Sequence, residues 1–267
     1  MTYFTFLLLF IGIPLTILVG LTWRDWRAGL QQPQRLAGYN PWWVLLAHVV
    51  VAVVYTTPWD NYLVATRVWW YDPNLVTGIV LGWVPIEEYT FFVVQTILTG
   101  TWLLFWARRW RWQGMGKEWE NGRLRLMSVL LLMAVWLANA FILALGWQPG
   151  TYLALQLTWA LVPIMIQLGF GADILWRYRS LVAVALLPAI FYLAAADAVA
   201  IHAGTWTIDP AQSLGWLLGG VLPIEEFLFF VVTNVLVVFG MVLVLAEESH
   251  ERIRRLEIRD WRLVLRS

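Results

Sequence analysis

The stretch "PIEEYTFFVV", residues 85–94, sets Glu87 and Glu88 side by side among residues that otherwise belong in oil. Residues 223–232, "PIEEFLFFVV", repeat the arrangement with Glu225 and Glu226. Between 85–96 and 223–234 eight of twelve positions are identical, at a constant offset of 138. Upstream, Asp72-Pro73 matches Asp209-Pro210, Trp69 matches Trp206 and Asp60 matches Asp197, all at an offset of 137. The chain is therefore read as an internal duplication that carries a pair of acids in each copy.

The surroundings of the motifs say where the copies reside. Of 267 residues 61% are hydrophobic and 13% charged, about half the charged share of a soluble domain. Apolar runs long enough to span a bilayer, about 20 residues each, fall at 3–22, 41–60, 76–106, 124–146, 151–172, 180–202 and 212–246. The expected fold is an all-α integral membrane protein of seven transmembrane helices. Helices 1–3 and 5–7 form the two copies, and helix 4 connects them. An offset of four helices is even, so the copies run parallel, related by an axis along the membrane normal. The corresponding division is 1–110 for the first three-helix repeat, 111–148 for a loop and connector helix, 149–246 for the second repeat, and 247–267 for a charged tail.

Charge placement supports the helix count. The connections after helices 1, 3 and 5, together with the tail, hold 17 of the 18 basic residues; Arg67 alone falls on the opposite face. The positive-inside rule then puts the N-terminus outside and the C-terminus in the cytoplasm. The first run lacks a basic n-region and an A-x-A-like site and is followed by Arg24 and Arg27, so it reads as a retained helix. Many of the 20 tryptophans lie near predicted helix ends, as in an interfacial belt.

Several chemistries are excluded. The chain has no cysteine, hence no disulfide, thiolate catalysis, thiolate zinc site or iron–sulfur cluster. Its one lysine, Lys117, lies in a loop, which rules out a retinal Schiff base in the bundle. "GMGKEW" at 114–119 and "GFGADI" at 169–174 lack the third glycine and the strand–helix context of a dinucleotide fingerprint. No cofactor, metal or nucleic-acid partner is expected.

The four glutamates remain to be explained. Each pair is expected about 12 residues into its helix, ~18 Å at 1.5 Å per residue, and thus deep in hydrocarbon. An ionised acid there costs at least ~2.5–3.5 kcal/mol. No Lys or Arg occupies that depth, and His48 is the only nearby base. Burial and mutual repulsion then favour the neutral form of some of the four. A protonated carboxyl can donate a proton, and an ionised neighbour can accept one. Adjacent helix residues point ~100° apart, so one acid of each pair is expected to line a cavity while the other braces it or meets the opposite repeat. Glu88 shares a stripe with Phe92 and Gln95, and Glu226 with Phe230 and Thr233; Glu87 shares one with Trp83 and Phe91, and Glu225 with Phe229. Which acid faces inward is left open. Phe91, Phe92, Phe229 and Phe230 beside a proton source are suited to stabilising a carbocation through their π faces. Three functions fit such a chain, a proton-translocating protein, a pigment- or lipid-binding protein and an enzyme protonating an apolar substrate; the third alone uses the acids, the rings and the greasy surroundings together.

"TPWDNYLV" at 57–64, "VWWYDP" at 68–73 and "PIEEYTFFVVQT" at 85–96 resemble the membrane-embedded lycopene cyclases of the heterodimeric and fused type. The P-x-E-(E/D) motif of that family matches Pro85–Glu88 and Pro223–Glu226. The second copy departs from it, with "DAVAIHAGTW" where the first has "DNYLVATRVWW". The resemblance implies a redox-neutral isomerisation of lycopene to γ- and β-carotene. A carboxylic acid protonates the terminal double bond, the chain closes on the tertiary cation, and loss of a proton leaves a β-ionone ring. Glu87, Glu88, Glu225 and Glu226 are the candidate catalytic groups. The candidate substrate-binding set is Phe91, Phe92, Phe229 and Phe230 with Asp60, Asn61, Asp197 and Trp83. Asp60 and Asp197, near helix ends, suit a cap or a loop contact equally well. C50 substrates or ε-rings are the alternative within the family. The implied setting is a prokaryotic cell membrane, with lipid and the polyene as partners; a homo-oligomer or association with other carotenoid-synthesis enzymes is left open.

Overall fold

The computed structural model describes residues 1–110 and 120–264; the expectations for Arg111, Lys117, Arg266 and the 114–119 segment fall outside them. Seven helices are long and apolar enough to cross a membrane. They are α1 (Tyr3–Arg27), α2 (Pro41–Ala65), α3 (Ile86–Arg109), α4 (Gly122–Leu145), α5 (Thr151–Arg177), α6 (Arg179–His202) and α7 (Ile224–Leu245). A charged helix, α8 (Glu247–Val264), follows. The central pair is α3 and α7, each with 61% of its apolar stretch buried, whereas α4 has 6% and is peripheral. Thr99 Oγ1 and Asn234 Oδ1, 2.6 Å apart, tie the two central helices.

Two of the seven helices start later than expected. The apolar runs 76–106 and 212–246 are not helical throughout: α3 begins at Ile86 and α7 at Ile224. The preceding residues form short hairpins, β2 (Val80–Leu81) with β3 (Val84–Pro85), and β5 (Leu217–Leu218) with β6 (Leu222–Pro223). Gly78, Gly82, Gly215, Gly219 and Gly220 adopt positive φ there, which side-chain-bearing residues avoid. Pro85 and Pro223 then precede the first helical residue, where a missing N–H costs nothing. Both acid pairs therefore sit in the first turn of their helices, not ~18 Å inside them.

Two strands close the same end of the bundle. β1 (Trp69–Tyr71) pairs antiparallel with β4 (Trp206–Ile208), in the register Trp69–Ile208, Trp70–Thr207 and Tyr71–Trp206. The starts of α1 and α5 are pinned to neighbouring loops: Tyr3 N–H donates to Leu75 O at 2.8 Å, and Tyr152 N–H to Gln212 O at 3.0 Å. Inside the bundle, Pro14 and Pro163 each free the carbonyl four residues earlier. Tyr192 Oη donates to Phe10 O at 2.8 Å, and Tyr55 Oη to Trp159 O at 2.9 Å. At the far end, buried Asp25 holds Arg109 at 2.5 Å and Arg108 at 3.2 Å, while Asp173 holds Arg252 of α8 at 2.8 Å. Ion pairs thus lock one end of the bundle, and the acids of the motifs occupy the other.

Candidate active site between the two acidic motifs

Because each pair lies in a first helical turn, its two acids have different surroundings. Glu87 accepts from the Thr77 backbone N–H at 2.6 Å. Glu225 accepts from the Leu214 N–H at 2.7 Å and the Ser213 hydroxyl at 3.2 Å. These first acids hold the loops that precede their helices, near the N–H groups of a helix start, where negative charge is favoured. The second acids turn the other way. Glu88 and Glu226 line one cavity, together with Asp60 and Asp197. Acids of both motifs thus face a single space.

Tyrosines orient the inward pair. Tyr3 and Tyr71 both donate to Glu88 Oε2, the latter at 3.0 Å, and Tyr152 donates to Glu226 Oε1 at 2.6 Å. Burial, then the Glu88 charge, push the Tyr71 phenol well above its ordinary range, so it remains a neutral donor. Where the first half has Tyr71, the matching position of the second half is Ile208, and Glu226 has one phenol fewer. The aspartates differ also. Trp206 Nε1 donates to Asp197 Oδ1 at 3.1 Å, whereas both oxygens of Asp60 meet no donor among the described residues.

Aromatic rings make the rest of the wall. Phe91, Phe92, Phe229 and Phe230 all line the cavity with Phe6, Trp59, Trp69 and Trp206. Phe91 meets Phe230 edge-on at 6.3 Å, and Trp59 stacks on Phe229 at 6.2 Å. Carboxyl groups beside ring walls, with no cation in the lining among the described residues, can deliver a proton and shelter the carbocation that results.

Not every candidate comes to this cavity. Trp83 is 67% exposed and precedes the helix, so it shares no stripe with Glu87. Asn61 serves the hairpin: its Oδ1 accepts from the Trp83 N–H at 2.8 Å, and its Nδ2 donates to Thr57 O and Tyr89 Oη. His48 lies 12 residues before Asp60 on α2, ~18 Å along the axis, and binds Val44 O. In the other direction, Tyr3, Tyr71, Tyr152, Trp59, Trp69 and Trp206 were not among the site candidates. Tyr3 and Tyr152 carry one signal, an offset of 149 between tyrosines at the starts of two apolar runs; it is hidden when the repeat is sought only at 137 and 138.

The lycopene cyclase family model matches residues 1–107 and 149–244, leaving out α4. The chain is 37% identical over 242 residues to the lycopene beta-cyclase of Halobacterium salinarum, covering 91% of this chain and 95% of the relative. It is also 35% identical over 199 residues to the bifunctional lycopene cyclase/phytoene synthase of Podospora anserina and 38% over 204 residues to that of Neurospora crassa. In each case 72% of this chain matches 33% of the longer fungal protein. No solved structure matches. Two matched segments, each carrying one motif and together enclosing one cavity, agree with these relatives: the chain belongs to the lycopene cyclase family.

Proposed function

We propose that this chain cyclises the acyclic ends of lycopene to β-rings, with Glu88 and Glu226 as the acid–base pair of one composite site. The observation that carries this reading is that these two acids, one from each motif, line the same aromatic cavity. One carboxyl gives its proton to the terminal C=C, and the tertiary cation is attacked by the internal double bond. The other carboxylate then removes a proton from the ring. The protons balance, and Asp60 and Asp197 in the same lining offer a path for returning the proton to the acid. Phe91, Phe92, Phe229 and Phe230 shield the cation from water and lend it their π faces. Glu87 and Glu225 act at one remove, by fixing the loops that bear Tyr71 and close the cavity. β- rather than ε-ring formation follows the Halobacterium salinarum relative, which is named a lycopene beta-cyclase.

The architecture belongs to the same reading. Two parallel three-helix repeats, 1–110 and 149–246, are joined through α4, and their pseudo-twofold axis passes through the Trp70–Thr207 pair. Support comes from matched contacts: Tyr3–Glu88 with Tyr152–Glu226, Thr77–Glu87 with Leu214–Glu225, and Tyr192–Phe10 with Tyr55–Trp159. The basic ends point to the cytoplasm, which puts the cavity toward the outer face of a prokaryotic cell membrane. The test is pigment chromatography of lycopene-accumulating cells expressing the chain and its Glu88→Gln and Glu226→Gln variants. Either substitution alone abolishes β-carotene and γ-carotene if the site is composite. Retention of about half the activity would mean one independent site per motif.

A further inference from the structure

Three side chains have space on both sides. Trp59, Phe92 and Phe229 wall the acidic cavity, and the last two also wall a groove of about 400 Å³ between α2, α3, α5 and α7. Trp59 faces a second opening, continuous with the groove through Val51, Tyr55 and Trp159. The cavity itself has a volume of about 40 Å³, room on the order of a few waters, so the body of a polyene must lie outside it. On α7 the groove runs from Phe229 to Val244, ~22 Å at 1.5 Å per residue.

The corresponding position in the other half has a groove of nearly the same size, about 390 Å³, between α1, α3 and α6. Ala189 and Tyr192 there correspond to Ala52 and Tyr55 at the offset of 137. That groove shares no lining residue with the acidic cavity. Of two near-twin grooves, one shares walls, Phe92 and Phe229, with the acidic cavity.

We propose that the groove between α2 and α5, lined by Ala52, Tyr55, Trp159 and Pro163 and divided from the acidic cavity by Phe92 and Phe229, binds the uncyclised polyene tail while the end group reacts, the two rings parting to pass the chain. This rests on the cyclase reading and adds the seat of the substrate's body, confined to one half of a duplicated fold. The occupant is a polyene rather than a lipid acyl chain on two grounds. The groove abuts the acidic cavity across the shared Phe92 and Phe229 side chains, and Gln95 Nε2 beside Phe92 has no acceptor among the described residues. An amide N–H can rest on a π face, which a saturated chain lacks.

The test uses Ala52→Val and Ala52→Trp to fill the groove stepwise, with Ala189→Trp as the matched control. Each is assayed in native membranes with lycopene and with a shortened polyene bearing the same end group, at equal amounts of membrane-inserted protein. Groove binding makes Ala52→Trp lose lycopene conversion on the order of tenfold or more, the scale of a steric mismatch in an apolar pocket, with Ala52→Val between it and wild type. The short substrate and Ala189→Trp stay within about twofold of wild type on the same scale. Equal loss of both substrates in the Ala52 variants, no loss with either, or a matching loss in Ala189→Trp each overturns the proposal; the second is the result expected if lipid fills the groove. A wild-type chain that converts neither substrate overturns the cyclase reading itself.

Discussion

Removing the phenol of Tyr152 should damage catalysis more than removing that of Tyr3, although the two residues occupy matching places. Tyr152→Phe takes from Glu226 its one side-chain donor, at 2.6 Å. Tyr3→Phe leaves Glu88 still held by Tyr71 at 3.0 Å. A hydrogen bond to a group that is charged for part of the cycle contributes about 1.5–3 kcal/mol. At 1.36 kcal/mol per factor of ten, full loss of orientation lowers kcat by about 10- to 100-fold. The partial loss at Glu88 should remain under about tenfold by the same conversion. Phenylalanine preserves the ring contacts, Trp69 at 5.2 Å from Tyr152 and Trp206 at 4.9 Å from Tyr3, so the fold is spared. The assay is the initial rate of lycopene conversion in isolated membranes at limiting and saturating substrate, with protein quantified. The double variant Tyr3→Phe/Tyr71→Phe should fall to the level of Tyr152→Phe. Equal effects of the two single variants, or a larger one for Tyr3→Phe, would refute the argument that donor number sets how firmly each acid is aimed.

Glu225→Gln keeps an acceptor for the Leu214 N–H and should cost no more than about 1 kcal/mol of stability, whereas Glu225→Ala leaves that N–H and the Ser213 hydroxyl unpaired and should cost about 1–3 kcal/mol; thermal unfolding in detergent reads the difference. Gly82→Ala places a Cβ 2.2 Å from Asn61 Oδ1 at a backbone φ of +70°, so it should lower the melting temperature, by strain of about 1–3 kcal/mol, and partly impair conversion by shifting the hairpin before α3. Asp25→Ala strands Arg108, whose side chain is 7% exposed, beside Arg109; loss of about 3–5 kcal/mol should appear as reduced accumulation in membranes, while catalysis per surviving molecule stays near wild type.

How far the chain could be read in one dimension depends on the range over which each feature is determined. Seven membrane-length helices follow from hydropathy, and the acids and phenylalanines of the site from a motif repeated at a fixed spacing; both are local properties of the string. The helix starts were misplaced because "VTGIVLGWVP" at 76–85 is as apolar as a span. Hydropathy records that apolarity and is blind to the positive-φ glycines that fold it into a hairpin. Starting the helices at Ile86 and Ile224 rather than at 76 and 212 removes about 15–18 Å of helix at 1.5 Å per residue and moves the acids from mid-bilayer to a helix end.

The sequence by itself determined that carboxyl pairs recur in an apolar bundle and that they lie among phenylalanines. Only the tertiary structure decided which acid of each pair turns inward, because adjacent residues on a helix diverge by ~100° and the loops at Thr77 and Leu214 capture the first of each. It decided also that Tyr3 and Tyr152, 85 and 74 residues distant in the chain from the acids they contact, reach them across the packed bundle. The inequality of the two motifs' surroundings, two phenols on Glu88 against one on Glu226, and one groove that shares walls with the cavity against one that shares none, arises where packing meets single substitutions such as Tyr71 against Ile208. A repeated motif specifies what chemistry is present; the side chains that converge from both motifs on one cavity make the site.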